Sequence, residues 1–281
     1  MTAAAPGSIV ARAAAAGVGV GAFNVIQLEL AEAIVAGAEQ AGAPVILQIS
    51  ENCVAYHGAL APIARACQAI AAAASVEVSV HLDHAESVEL VAEALDLGVD
   101  SVMVDASKLP DEANRALTAA VTAMCHRRGV VVEAELGEVG GKDGVHAPGA
   151  RTDPAAAAAF VADTGVDALA VAVGSSHAMT TRTASLDFEL ISRIRERVPV
   201  PLVLHGSSGV PDADLARAVR AGMTKINVAT LLNHVFTDSV RATLAGDQGL
   251  VDTRKYFKPA RAAVADAVAR LLGVLRDPGA A

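Results

Sequence analysis

Three histidines, His84, His177 and His205, stand at or just past the ends of short apolar runs. Three neutral imidazoles around one divalent ion leave a coordination position open, a frequent arrangement for catalytic zinc. Zinc held this way keeps its positive charge and can polarise a carbonyl oxygen or activate water. Asp83 directly precedes His84, and a carboxylate beside a cation favours its ionised form and can work as a base. Neighbouring side chains on a strand point to opposite faces, so the two reach one site only where the strand end relaxes that rule. Glu133 and Glu135 share a strand face through their spacing of two, and a buried glutamate needs a charge or a metal as partner. Glu135, nearer the strand end, is the candidate for an auxiliary metal contact. The bland alternatives are structural: each histidine a hydrogen-bonded core or surface residue, Asp83 a mere orienter of a ring. His81 reads as a partner of the ligands or a core residue, and His57, His126, His146 and His234 are weaker candidates.

The elements that must position these side chains are legible as a repeat. Eight β-branched runs, at 17–25, 44–50, 76–84, 101–107, 130–138, 168–174, 201–207 and 225–230, alternate with longer stretches such as 27–42, 58–74, 87–98, 110–128 and 211–221. Nearly continuous apolar runs fit parallel strands buried on both faces. Eight such units predict an α/β fold, a single-domain (β/α)8 TIM barrel over 1–281, with a doubly wound open sheet as the alternative. Polar residues gather at the C-terminal ends of the runs: Asn24, Ser50, Asp83, His84, Asp105, Ser107, Glu135, His205, Asn227 and Thr230. In a barrel those ends converge on one face, where such enzymes place their active sites. The glycine-rich segment 137–154 reads as a mobile loop. A second loop is expected at 246–259, before a C-terminal helical extension.

Composition narrows the function further. The chain has 281 residues, 53% of them hydrophobic, a net charge of −9 and only 2% aromatic residues. Without a basic cluster or stacking aromatics, nucleic-acid binding is disfavoured. Much of the apolar content is alanine, and no segment approaches the roughly 18 apolar residues of a membrane span. The N-terminus lacks the compact apolar core of a signal peptide, so a cytoplasmic location is expected. Cys53, Cys67 and Cys125 show no paired spacing and read as reduced thiols.

HGSSG at 205–209, followed by Pro211 and a helical stretch, is a glycine-rich turn leading into a helix N-terminus. KINVAT follows, with Asn227 and Thr230 at its end. Phosphate sites in these barrels are often built from the loops after strands seven and eight.

Together, GAFNV (21–25), PVILQIS (44–50), HLDH (81–84), VEAELGEVGG (132–141), VGSSH (173–177), PLVLHGSSGVP (201–211) and TKINVAT (224–230) resemble the class II ketose-bisphosphate aldolases, the fructose- and tagatose-bisphosphate group. The resemblance spans nearly the whole chain. It implies one catalytic Zn2+ per subunit on His84, His177 and His205, with Asp83 as the acid/base on the substrate hydroxyl. Glu135 would approach the metal during turnover, and Asp143 would supply a catalytic acid from the loop. Gly206, Ser208, Asn227 and Thr230 would hold the phosphate of dihydroxyacetone phosphate, with a monovalent cation nearby as a further expectation. Asn24 and Ser50 would touch substrate hydroxyls or the second phosphate. Arg254 would reach a neighbouring subunit's phosphate site, implying a homodimer or homotetramer. Ala178 stands where the family usually has glycine, and GGKDG (140–144) and TLLNH (230–234) also depart from its pattern.

The implied activity is that of an aldehyde-lyase of glycolysis and carbohydrate metabolism. A ketose 1,6-bisphosphate, foremost fructose 1,6-bisphosphate, would be cleaved reversibly to dihydroxyacetone phosphate and glyceraldehyde 3-phosphate through a zinc-stabilised enediolate. Tagatose 1,6-bisphosphate or a deoxy or dehydro sugar phosphate is the alternative substrate. Other readings are a Schiff-base aldolase, a metal-dependent hydrolase, and a non-catalytic sugar-phosphate-binding subunit. The Schiff-base reading needs a lysine at a strand end, whereas Lys225 starts its run.

Overall fold

A computed structural model describes residues 8–136, 151–176, 179–277 and 279. Its strands are β1 (Val20–Asn24), β2 (Val45–Ser50), β3 (Val78–Ala85), β4 (Ser101–Val104), β5 (Val131–Glu135), β6 (Ala168–Ala170), β7 (Leu202–Leu204) and β8 (Met223–Val228). Each pairs in parallel with the next, and β8 returns to β1 with Val20 opposite Lys225, closing the barrel in chain order. This is the single-domain (β/α)8 barrel expected from the repeat, with the open sheet excluded by the β1–β8 pairing.

The helices are α1 (Ile9–Ala16), α2 (Leu28–Ala41), α3 (Glu51–His57), α4 (Ala61–Ala73), α5 (Val88–Leu97), α6 (Asp111–His126), α7 (Pro154–Thr164), α8 (Phe188–Arg197), α9 (Asp212–Ala221), α10 (Thr230–Gly246) and α11 (Thr253–Arg276). Local chemistry sets their ends. Ser87 accepts from the Leu90 amide to start α5, and Gly98 ends it in the left-handed region, where a missing Cβ removes the steric cost. Asp153 caps α7 on the amides of Ala155 and Ala156, with Pro154 supplying a pre-set first residue. The 246–259 loop expectation is corrected: α11 begins at Thr253 and takes in Pro259. Pro259 and Lys255, whose carbonyl loses its helical donor there, are both exposed, so water can serve that carbonyl.

The main core lies between strands and helices, where Val, Leu and Ile side chains such as Leu47, Leu82, Val102, Val132 and Ile226 are buried. Each fully buried aliphatic chain of this size contributes about 1.5–3 kcal/mol. A smaller cluster joins Ile9 and Ala13 of α1 to Val20, Ala22 and Ile46 at the N-terminal ends of the strands. On the outside, α11 packs over β1, with α2 and α9 as neighbours. Gly19 donates its amide to the Leu275 carbonyl at 2.8 Å, and α11 buries Val264, Val268, Leu271, Leu272 and Leu275. It lies so close to α2 that a Cβ on Gly37 would stand 2.4 Å from the Ala265 carbonyl oxygen.

Among the described residues no helix is long and apolar enough to cross a membrane. Cys53, Cys67 and Cys125 are buried and form no disulfide. Residues 137–150, with Asp143 and His146, and residues 177–178 lie outside the described set.

Candidate active site

The C-terminal ends of the strands open into a cleft of about 220 Å³, lined by Asn24, Gln48, Ser50, Asp83, His84, Gly206, Ser208, Asn227 and Thr230 among others. Asp83 and His84 reach it together because β3 is irregular there. Its register against β4 shifts between Leu82 and Ala85, and His84 has φ of 50°. Positive φ is unusual for a residue with a Cβ, and strain of this kind gathers at functional sites.

His84, Glu135 and His205 offer ligand atoms that all lie within 4.8 Å of one another. The two imidazole rings meet edge to face with centroids 4.6 Å apart. Each ring gives one nitrogen to a carboxylate behind it. His84 donates through Nδ1 to Asp105 at 2.6 Å, and His205 through Nε2 to Glu133 at 2.9 Å. Carboxylates in this outer position fix the tautomer and orientation of metal-binding histidines. The nitrogens turned away from them are Nε2 of His84 and Nδ1 of His205, the latter 3.7 Å from Glu135 Oε2. Two imidazoles and a carboxylate, with a third histidine expected from the adjacent loop, suit a borderline-soft divalent ion such as zinc. His177 itself lies outside the described residues.

Asp83 is only 3% exposed, and its Oδ2 accepts from the Asn24 side-chain amide at 3.3 Å. Asn24 is set by Gln48, whose Nε2 donates to Asn24 Oδ1 at 2.6 Å. Asp83 Oδ1 is buried with no hydrogen-bond partner among the described residues, as is Asn227 Oδ1. Orphaned buried oxygens in a cleft are costly unless a ligand or ion satisfies them. Burial pushes the Asp83 carboxyl upward, but His84, Lys225 and His205 nearby outweigh it and hold the group below its ordinary range. Asp83 is therefore held as a carboxylate, a form that can accept a proton.

The loop after β7 faces α10. Gly206 has φ of 67° and Ser208 Oγ accepts from the amides of Ala229 and Leu231 at 3.3 and 3.1 Å. Ser208 thus caps the N-terminus of α10 from outside the helix, in addition to lining the cleft. Ser50 plays the same double part, capping α3 on the Cys53 amide at 3.2 Å. Arg254 is not among the residues that line the cleft. It is exposed at the start of α11 and held by Asp252 at 2.9 Å.

Three residues escaped assignment from sequence. Gln48 and Asn52 line the cleft; a glutamine inside the apolar run PVILQIS was the available signal for the first, and a residue past the strand end gave none for the second. Lys225, read as the start of its strand, lies inside β8, is 1% exposed, and donates to Glu133 Oε2 at 2.7 Å. Removing one partner of such a buried pair typically costs about 3–5 kcal/mol.

A closed barrel that collects imidazoles and carboxylates at the C-terminal ends of its strands defines an enzyme for metal-assisted chemistry on a small polar substrate. The chain belongs to the class-II fructose-bisphosphate aldolase family, whose sequence profile matches residues 6–280. It is 40% identical over 264 residues to the fructose-bisphosphate aldolase of Geobacillus stearothermophilus, covering 92% of this chain and 91% of that one. The crystal structure of the YdjI aldolase of Escherichia coli K12 matches with a TM-score of 0.82 at 32% identity, covering 98% of this chain and 99% of that one. Members of the family are zinc-dependent aldehyde-lyases.

Proposed function

We propose that this chain cleaves and forms fructose 1,6-bisphosphate at the mouth of its barrel, with His84, His177 and His205 as zinc ligands. The observation that carries this reading is the shared opening of Asp83 and His84 into one cleft with Asn24, Gly206, Asn227 and Thr230. Zinc held there supplies positive charge that favours electron flow toward the substrate's ketone oxygen. Asp83 takes the proton of the C4 hydroxyl. The C3–C4 bond then breaks, its electrons pass to C3 and the ketone, and glyceraldehyde 3-phosphate leaves. A proton returned to C3, for which Asp143 is the expected donor, gives dihydroxyacetone phosphate; condensation reverses each step. Asn24 orients Asp83, and Glu135 lies beside His205 to adjust with it.

The phosphate of the dihydroxyacetone half would rest between Gly206, Ser208, Asn227 and Thr230. α10 begins at Thr230 on the cleft lining, and a helix N-terminus favours an anion through its partial positive charge. The second phosphate would meet Arg254 of a neighbouring copy, as the resemblance implies for an arginine that is exposed and does not line its own cleft. The protein would then act as a cytoplasmic homodimer or homotetramer.

A coupled assay of zinc-loaded protein tests the reading. Fructose 1,6-bisphosphate should yield both triose phosphates, and Asp83→Ala should lower kcat by about 10²–10⁴ while zinc content is unchanged. Absence of cleavage by the wild type, or full activity in Asp83→Ala, would remove it. Tagatose 1,6-bisphosphate in parallel reads the preference at C4.

A further inference from the structure

Below the cleft runs a buried polar chain that the steps above do not use. Lys225 Nζ donates to Glu133 Oε2 at 2.7 Å and to His81 Nε2 at 3.4 Å. Glu133 Oε1 accepts from His205 Nε2 at 2.9 Å, and His81 Nδ1 meets Ser101 Oγ at 2.8 Å. The direction of each bond follows from chemistry. An ammonium only donates and an ionised carboxylate only accepts. His81 must therefore accept at Nε2 and carry its proton at Nδ1, toward Ser101. Glu133 divides its two oxygens between Lys225 and His205, which fixes the carboxylate plane and leaves His205 protonated at Nε2.

We propose that Glu133 and Lys225 form a clamp that selects the tautomer and ring orientation of His205, presenting Nδ1 to the metal centre; both are positioning residues. The proposal rests on the metal reading of His84 and His205 given above. The support differs in kind for the two rings. Asp105, which holds His84, is itself held by the amide and hydroxyl of nearby Ser107 at 3.2 and 2.6 Å. His205, on the loop directly after β7, is referenced instead to β5 through Glu133, to β8 through Lys225, to β3 through His81 and to β4 through Ser101. Its aim is set across the barrel, so a small change in any of these strands would be transmitted to the ring.

The tautomer can be read without activity or metal. In zinc-free wild-type protein with ¹⁵N-labelled histidine, His205 should show the Nε2–H form; an Nδ1–H form would overturn the proposal, whatever the variants do. The paired variant Lys225→Met with Glu133→Gln removes both charges together and avoids stranding one of them. Folded by circular dichroism, it should bind zinc about 10–100-fold more weakly in competition with a chromogenic chelator, the range for lost outer partners of a ligand. Its Co2+ absorption spectrum should also change. Zinc affinity within about two-fold of wild type, below the range for such partners, with the tautomer retained, would overturn the clamp alone. A wild-type protein with no zinc affinity would remove the metal reading and the clamp together.

Discussion

Gly206 lies against the main chain of Ser176, and a Cβ added to it would stand 2.5 Å from both the carbonyl carbon and the carbonyl oxygen of that residue. With φ of 67°, the position is also strained for any residue but glycine. Gly206→Ala must move either the HGSSG turn or the segment that leads to His177. Misplacement of a site by about 1 Å costs roughly 10²-fold, so kcat/KM should fall by about that factor. Left-handed backbone adds about 1–2 kcal/mol of destabilisation. Steady-state kinetics with urea unfolding measures both, and an unchanged kcat/KM would show that the two loops yield freely.

Ser208→Ala removes the hydroxyl that accepts from the Ala229 and Leu231 amides. Loss of a capping hydroxyl costs about 1 kcal/mol. Ser208 also lines the cleft at the proposed phosphate position, so KM should rise about five-fold, equivalent to a similar energy. kcat should change much less. A drop in kcat at constant KM would place Ser208 in the chemistry instead.

Chelation should abolish activity, and added zinc should restore it, with little change in far-UV circular dichroism. The strands close on their own hydrogen bonds around an apolar core, so the fold does not depend on the ion. Borohydride with substrate should trap no covalent adduct, because Lys225 is engaged by Glu133 beneath the cleft. An adduct, or activity resistant to chelation, would revive the Schiff-base route.

Alkaline stability reports on the thiols. Burial pushes Cys67 up to about 12 and Cys125 up to about 11, from 9.0 in each case, with nearby Cys53 and Asp167 adding smaller effects. Above pH 9 the unfolded chain releases these protons while the folded one keeps them. The unfolded state then binds fewer protons, and stability falls as pH rises from about 9 toward those raised values, by about 1.4 kcal/mol per pH unit for each thiol. Cys67→Ala should flatten the slope between pH 9 and 11 by that amount in urea titrations. An identical slope would mean that Cys67 ionises normally in the folded protein.

The barrel was legible because its strands are short apolar runs that end in polar residues. The sequence locates the mouth and most of its lining, from Asn24 to Thr230, through that pattern alone. It does not reveal how Asp83 and His84 come to face one cleft, since HLDH contains no glycine or proline to mark the irregularity of β3. The pairing of Lys225 is hidden for a related reason. Periodicity sees one strand at a time, whereas Lys225 and Glu133 meet across the barrel, 92 residues apart. The alanine run of α7 carried helix propensity but almost no directional pattern, and its start is set by Asp153 and Pro154. The roles of His177 and Asp143 still rest on the resemblance, because both lie outside the described residues.

β1 is covered by α11, which holds Gly19 through Leu275 and fits closely against α2 at Gly37 and Ala265. During synthesis, β1 must wait for β8 before its second edge is paired, and for α11 before it is covered. Until β8 is made, the growing sheet carries an unpaired edge on β1. A chain of this topology is most exposed to aggregation and to chaperones in that interval.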